Sequence, residues 1–169
     1  MRKIILICGK AGAGKNTVGD VISRITHGTQ YAFADCVKDI AREMGWDDEK
    51  DEKGRRLLQE IGTAGRNYYK DVWVDKVISK IHFQSSFISP VTIITDWRYI
   101  NEVEKIKKAF PDVITIRVIG REYDLGVNAD HESEHGLDGV MTDYVLSNDE
   151  PLSLLEESVR YILRNEGMI

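Results

Sequence analysis

Unbroken aliphatic runs alternate along this chain with stretches whose apolar residues recur every third or fourth position. The runs read as buried parallel strands, which present no polar face. The spaced stretches read as amphipathic helices. Arg2–Cys8 is the first strand, and Val18, Val21, Ile22 and Ile25 mark a helix closed by Gly28. Tyr31–Ala34 is a short second strand. Asp35 then caps a helix carrying Val37, Ile40, Ala41 and Met44, which Gly45 ends. Two helices follow with no clear strand between them. One runs from about Asp48 to Ile61 and stops at Gly62; the other starts near Asp71, with Trp73, Val77 and Ile81 on one face. Val91–Thr95 is the third strand, and Ile100, Val103, Ile106 and Phe110 mark a helix terminated by Pro111. Val113–Ile119 and Tyr144–Ser147 are the last two strands. The final helix opens with Asp149 as cap and Pro151 in its first turn, and buries Leu155, Val159 and Ile162.

Strands separated by helices predict an α/β three-layer fold, a five-stranded parallel sheet flanked by helices. A length of 169 residues suits a single domain. Arg121–Gly139 fits no element, being long, polar and glycine-containing; segments of that size in compact domains are usually lids or disordered.

Composition removes several functions. The net charge of −5 argues against a broad nucleic-acid surface. No apolar run is long enough to cross a bilayer. MRKIILIC has the basic start of a signal peptide, yet the run stops at Gly9 with no small-residue cleavage site after it, so a strand is the better reading. Cys8 and Cys36 make no disulfide framework, which suits a reducing cytoplasm.

Between the first strand and helix stands Gly9-Lys10-Ala11-Gly12-Ala13-Gly14-Lys15, the pattern G-x-x-x-x-G-K. Glycines let successive N–H groups turn toward a phosphate. The helix N-terminus adds partial positive charge and Lys15 a full one. Gly12, Ala13, Gly14, Lys15, Asn16 and Thr17 are therefore the expected ATP-binding set. Asn16 stands where Ser or Thr usually reaches Mg²⁺, and Thr17 follows; the Gly-Lys-x-Thr spacing points to small-molecule kinases. Thr17 and Asp96 are the expected Mg²⁺ residues.

A kinase must also hold its acceptor, by positioning and charge neutralisation. Thr95-Asp96-Trp97-Arg98 ends the third strand, placing Asp96 where it would face Mg²⁺ or its waters and Arg98 where it would reach a phosphate. The alternative for Asp96 is a cap on the next helix. Gln59–Arg66 is read as the joint between two helices, with glycines that expose backbone N–H groups and Arg66 to fork onto a phosphate. Asp47–Lys53 is read as a solvated helix start, and Arg117 as a salt-bridged structural residue.

Seven segments together, GKAGAGKNT, FADCVKDIA, LLQEIGTAGR, VWVDKV, TDWRYINEVEKIK, DHESEHGLD and DYVLSND, resemble the bacteriophage-type deoxynucleoside monophosphate kinases of the P-loop NMP kinase superfamily. The resemblance spans essentially the whole chain. It implies ATP-dependent phosphoryl transfer to a deoxynucleoside monophosphate, with Mg²⁺. It makes residues from about 35 to 83 acceptor-binding helices and places the acceptor near Asp35, Lys38, Gly62, Thr63, Arg66 and Arg98. It makes 120–139 a lid carrying Arg121 and Glu134, and puts Asn148 beside the ATP base. The implied partners are small-molecule nucleotides, with a homodimer left open, in the cytoplasm (of a host, if the chain is viral). Proline usually stands where this chain has Cys36. Animal-type phosphomevalonate kinases share a similar acidic lid, which keeps another phosphorylated acceptor in play.

His131-Glu132-Ser133-Glu134-His135 also matches the zinc pattern H-E-x-x-H. Both histidines would need one face of a stable helix. Gly126, Asn128, Gly136 and Gly139 leave room for about two turns, too short to stand alone. In the kinase reading Asp130, Glu132 and Glu134 pair with arginines or orient the acceptor.

Overall fold

β1 (Lys3–Cys8) runs through the middle of the sheet because every side chain from Ile4 to Cys8 is buried. Ile5 and Ile7 face one helical layer, while Ile4, Leu6 and Cys8 face the other. The computed structural model describes residues 2–83, 90–120 and 136–169. In chain order the elements after β1 are α1 (Lys15–Thr26), β2 (Thr29–Tyr31), α2 (Ala34–Glu43), α3 (Glu52–Tyr68) and α4 (Val72–Phe83). They continue with β3 (Val91–Ile94), α5 (Ile100–Ala109), β4 (Val113–Ile119), β5 (Tyr144–Ser147) and α6 (Leu152–Asn165).

The sheet order is β2-β3-β1-β4-β5, and every pairing is parallel. One face buries Val18, Val21 and Ile22 of α1 with Leu155, Val159 and Ile162 of α6. The other buries Val37 of α2, Trp73, Val77 and Ile81 of α4, and Ile106 of α5. α3 lies outside this layer, with Leu58 and Ile61 packed on its edge. The expected three-layer α/β fold is therefore present. Among the described residues no helix is long and apolar enough to cross a membrane.

Several local expectations are corrected. β2 ends at Tyr31, so Ala32 and Phe33 form the turn into α2. The left-handed residue ending α1 is His27, at φ 53°, one position before Gly28. Asp35 lies inside α2, and Pro151, not Asp149, precedes α6. The largest correction concerns α3, which begins at Glu52 with Asp51 as its cap and continues through Gly62 and Gly65 to Tyr68. Residues 59–66 are thus helical, and their N–H groups are not exposed at a joint.

Candidate active site

The C-terminal ends of the strands bring the distant candidates together, as open parallel sheets do. After β1 the chain turns at Gly9 (φ 147°) and Gly14 (φ 93°), backbone that a side chain would strain. Gly14 is the N-cap of α1, and no side chain caps that helix. The first-turn N–H groups therefore point into the loop mouth. Lys15 Nζ donates back to the carbonyls of Gly9 at 2.7 Å and Lys10 at 2.8 Å, spanning the loop. From β5, Asn148 Nδ2 donates to the Ala13 carbonyl at 3.1 Å, and its own N–H donates to Ile119 O at 2.7 Å.

A cavity of about 670 Å³ opens on this loop. Gly12, Gly14, Lys15 and Asn16 line it, opposite Asp35, Lys38, Asp96 and Arg98. Thr17 is exposed and is not on this wall, whereas its neighbour Asn16 is. Asp35 accepts from the Ala32 N–H at 2.9 Å and pairs with Lys38 Nζ at 3.0 Å.

Asp96 caps a helix, but not the next one in sequence. Its two oxygens accept from the N–H groups of Phe33 at 2.8 Å and Ala34 at 2.9 Å, at the start of α2. Burial raises its pKa, against the pull of those two N–H groups and of Arg98. Each oxygen keeps a further lone pair, so the cap leaves room for a ligand.

A second cavity, of about 300 Å³, adjoins the first. Phe33, Leu58 and Trp73 make its apolar side, while Arg55, Arg66 and Arg98 give it charge. Gly62 lines it, and its carbonyl accepts from Trp73 Nε1 at 3.0 Å. Thr63 is exposed and lines neither cavity. Arg66 lies over the Tyr99 ring, 4.6 Å from its centroid. Ala11, Ala34, Lys38, Lys50, Asp96 and Arg98 face both cavities. Arg98 also borders a third, of about 150 Å³, between the loop and β4. There Arg117 donates to the carbonyls of Leu137 at 3.0 Å and Val140 at 2.8 Å, where an ion pair was expected.

Lys50, Arg55, Tyr99 and Glu102 were not among the sequence candidates. Lys50 sits in the charged run read as solvated, yet it lines both cavities. Arg55 stands one helical turn before Gln59 and two before Gly62, a spacing that the break assumed at Gly62 concealed. Arg121, Glu134 and the H-E-x-x-H stretch lie outside the described residues.

A glycine-rich loop leading into a helix start that no side chain caps, with Lys15, fits a polyphosphate. Mg²⁺ takes one or two protein ligands and completes its shell from phosphate and water. Asp96 and Asn16 on the same wall fit that pattern.

No family model and no curated protein matches this chain. Solved structures do. A sugar kinase from Janibacter sp. HTCC2649 aligns at 14% identity and TM-score 0.60, covering 99% of this chain and 98% of that one. Shikimate kinase from Aquifex aeolicus vf5 aligns at 15% identity and TM-score 0.59, over 97% and 98%. The APS kinase CysC of Mycobacterium tuberculosis, in complex with AMPPNP and APS, aligns at 10% identity and TM-score 0.53, over 96% and 98%. The chain has the P-loop kinase fold. At these identities the likeness is one of architecture.

Proposed function

We propose that this chain is an ATP-dependent kinase whose acceptor is itself a phosphate monoester, a deoxynucleoside monophosphate. The observation that carries the reading is the wall common to the two cavities, with Lys38, Lys50 and Arg98 between the phosphate loop and a second, cationic, part-apolar cavity. Two phosphate groups meeting there would be held by the same cations. Kinases named for sugar, shikimate and APS among the structural neighbours support phosphoryl transfer to a small molecule. The arginines of the second cavity favour an acceptor that already bears phosphate, and Phe33 and Trp73 suit a flat base.

In this reading 1–169 is one kinase domain, and residues 35–83 supply the acceptor side. Lys15 and the loop amides hold the β- and γ-phosphates of ATP. Arg98 and Arg66 hold the acceptor phosphate, and Asp35 and Lys38 flank it. Asn148 orders the loop beside the adenine. An acceptor phosphate oxygen is already anionic near neutral pH, so the chain need not supply a general base. That oxygen bonds to the γ-phosphorus while the bond to the β–γ bridging oxygen breaks, leaving ADP. Asn16 and Asp96 would hold Mg²⁺ or its waters; when bound, it neutralises phosphate charge. Arg121 and Glu134 are proposed as lid residues that close on the transfer centre.

ADP release measured over the deoxynucleoside monophosphates, phosphomevalonate, shikimate and gluconate tests the reading. Turnover of at least one deoxynucleoside monophosphate is expected. Turnover of only one of the other acceptors, or ATP binding with no transfer to any, would overturn it.

A further inference from the structure

The loop from Asp96 to Tyr99 is pinned at every residue. Asp96 takes the Phe33 and Ala34 N–H groups, and the Trp97 N–H donates to Ile7 O at 3.2 Å. The Trp97 indole donates to Tyr99 O at 2.9 Å. Glu102 closes the set, one oxygen accepting from the Arg98 N–H at 2.8 Å and the Tyr99 N–H at 3.0 Å. We propose that Glu102 is the positioning residue of the acceptor site, aiming Arg98 into the second cavity and Tyr99 under Arg66. This rests on the reading of that cavity as the acceptor site.

A glutamate at this point of a helix is ordinarily an exposed member of a capping box. Glu102 is instead 6% exposed and lines the cavity, a burial that costs a carboxyl group its hydration. The charges of Asp96 and Arg66 act on it, and Arg66 and Arg98 line the same cavity. Burial pushes its pKa up to about 8, Asp96 adding to the rise while the two N–H groups and Arg66 oppose it. A neutral carboxyl has one carbonyl oxygen with two lone pairs, enough for both donors. Both donors meet a single oxygen, Oε2, and the carbonyl oxygen of a glutamine can accept the same two hydrogen bonds.

The experiment compares wild type with Glu102→Gln, Glu102→Ala and Glu102→Asp. Amide exchange is measured at Arg98 and Tyr99, and KM for the acceptor and for ATP. Glu102→Ala and Glu102→Asp, which lose the reach, are expected to speed exchange at both amides at least tenfold. They should raise acceptor KM at least tenfold, with ATP KM within twofold. Glu102→Gln should stay within threefold of wild type throughout. An unchanged acceptor KM in Glu102→Asp, or Glu102→Gln as damaged as Glu102→Asp, would overturn the proposal. If wild type turns over no phosphorylated acceptor, the functional reading fails; exchange at Arg98 and Tyr99 still decides whether Glu102 holds the loop.

Discussion

Asn148 occupies the space that a side chain on Gly14 would need: a Cβ there would lie 1.9 Å from Asn148 Nδ2. The residue that follows the fifth strand thus braces the inner turn of the phosphate loop, and glycine is required at position 14 both for its φ of 93° and for this contact. Gly14→Ala is expected to weaken ATP binding at least tenfold by calorimetry. Asn148→Ala added to it relieves the clash but not the backbone strain, so the double variant should recover only part of the loss.

Lys15→Ala removes the full charge at the loop mouth and the two bonds from Nζ to the Gly9 and Lys10 carbonyls. It should lower kcat/KM by about 10²–10³-fold, the scale of losing one positioned donor to a developing charge. Circular dichroism should stay unchanged, and a near-normal kcat/KM would refute the assignment.

Arg98→Ala is expected to fall hardest on the acceptor. A charged hydrogen bond to phosphate contributes about 1.5–3 kcal/mol, roughly 10- to 100-fold in acceptor affinity. Steady-state KM values for both substrates check this; a loss confined to ATP would place Arg98 on the donor side alone.

Gly65 was read from sequence as part of an open joint, yet it lies against Trp73, where an added Cβ would come 2.3 Å from Cζ2. Gly65→Ala should therefore destabilise the fold by about 1–3 kcal/mol, the usual range for overpacking, in urea unfolding. It should also displace the Trp73 wall and raise acceptor KM.

Glu102 gives stability a pH dependence of definite sign. Its folded pKa, near 8, lies above the ordinary 4.5, so the folded state holds a proton that the unfolded chain has released. The contribution is fully present below about pH 4.5 and declines as pH rises toward 8, by up to about 1.4 kcal/mol per pK unit of difference. Asp96, also raised, acts in the same direction. Urea unfolding at pH 5.5 and 8.5 should show the wild type losing more stability than Glu102→Gln.

What the sequence made legible follows from range. β1 and β4 could be read closely, because parallel strands largely buried on both faces announce themselves residue by residue. The phosphate loop was readable for the same local reason. Asp35 was misplaced as a cap because the group that caps α2, Asp96, lies 62 positions from Ala34 and arrives only when β3 packs beside β2. Gly62 and Gly65 look like a helix end in one dimension. In three they clear space for a cavity and an indole. Glu102 was invisible because a helix-start glutamate carries no mark of burial until α5 docks.

Lys38, Lys50 and Arg98 cannot give their full charge to two anions at once. In the proposed reading, whatever factor one bound phosphorylated ligand imposes on the affinity of the other must be returned in equal measure, since coupling between sites is reciprocal. A molecule bridging both cavities through a continuous phosphate chain would meet those cations as a single polyanion, and would escape the rivalry that two separate guests face.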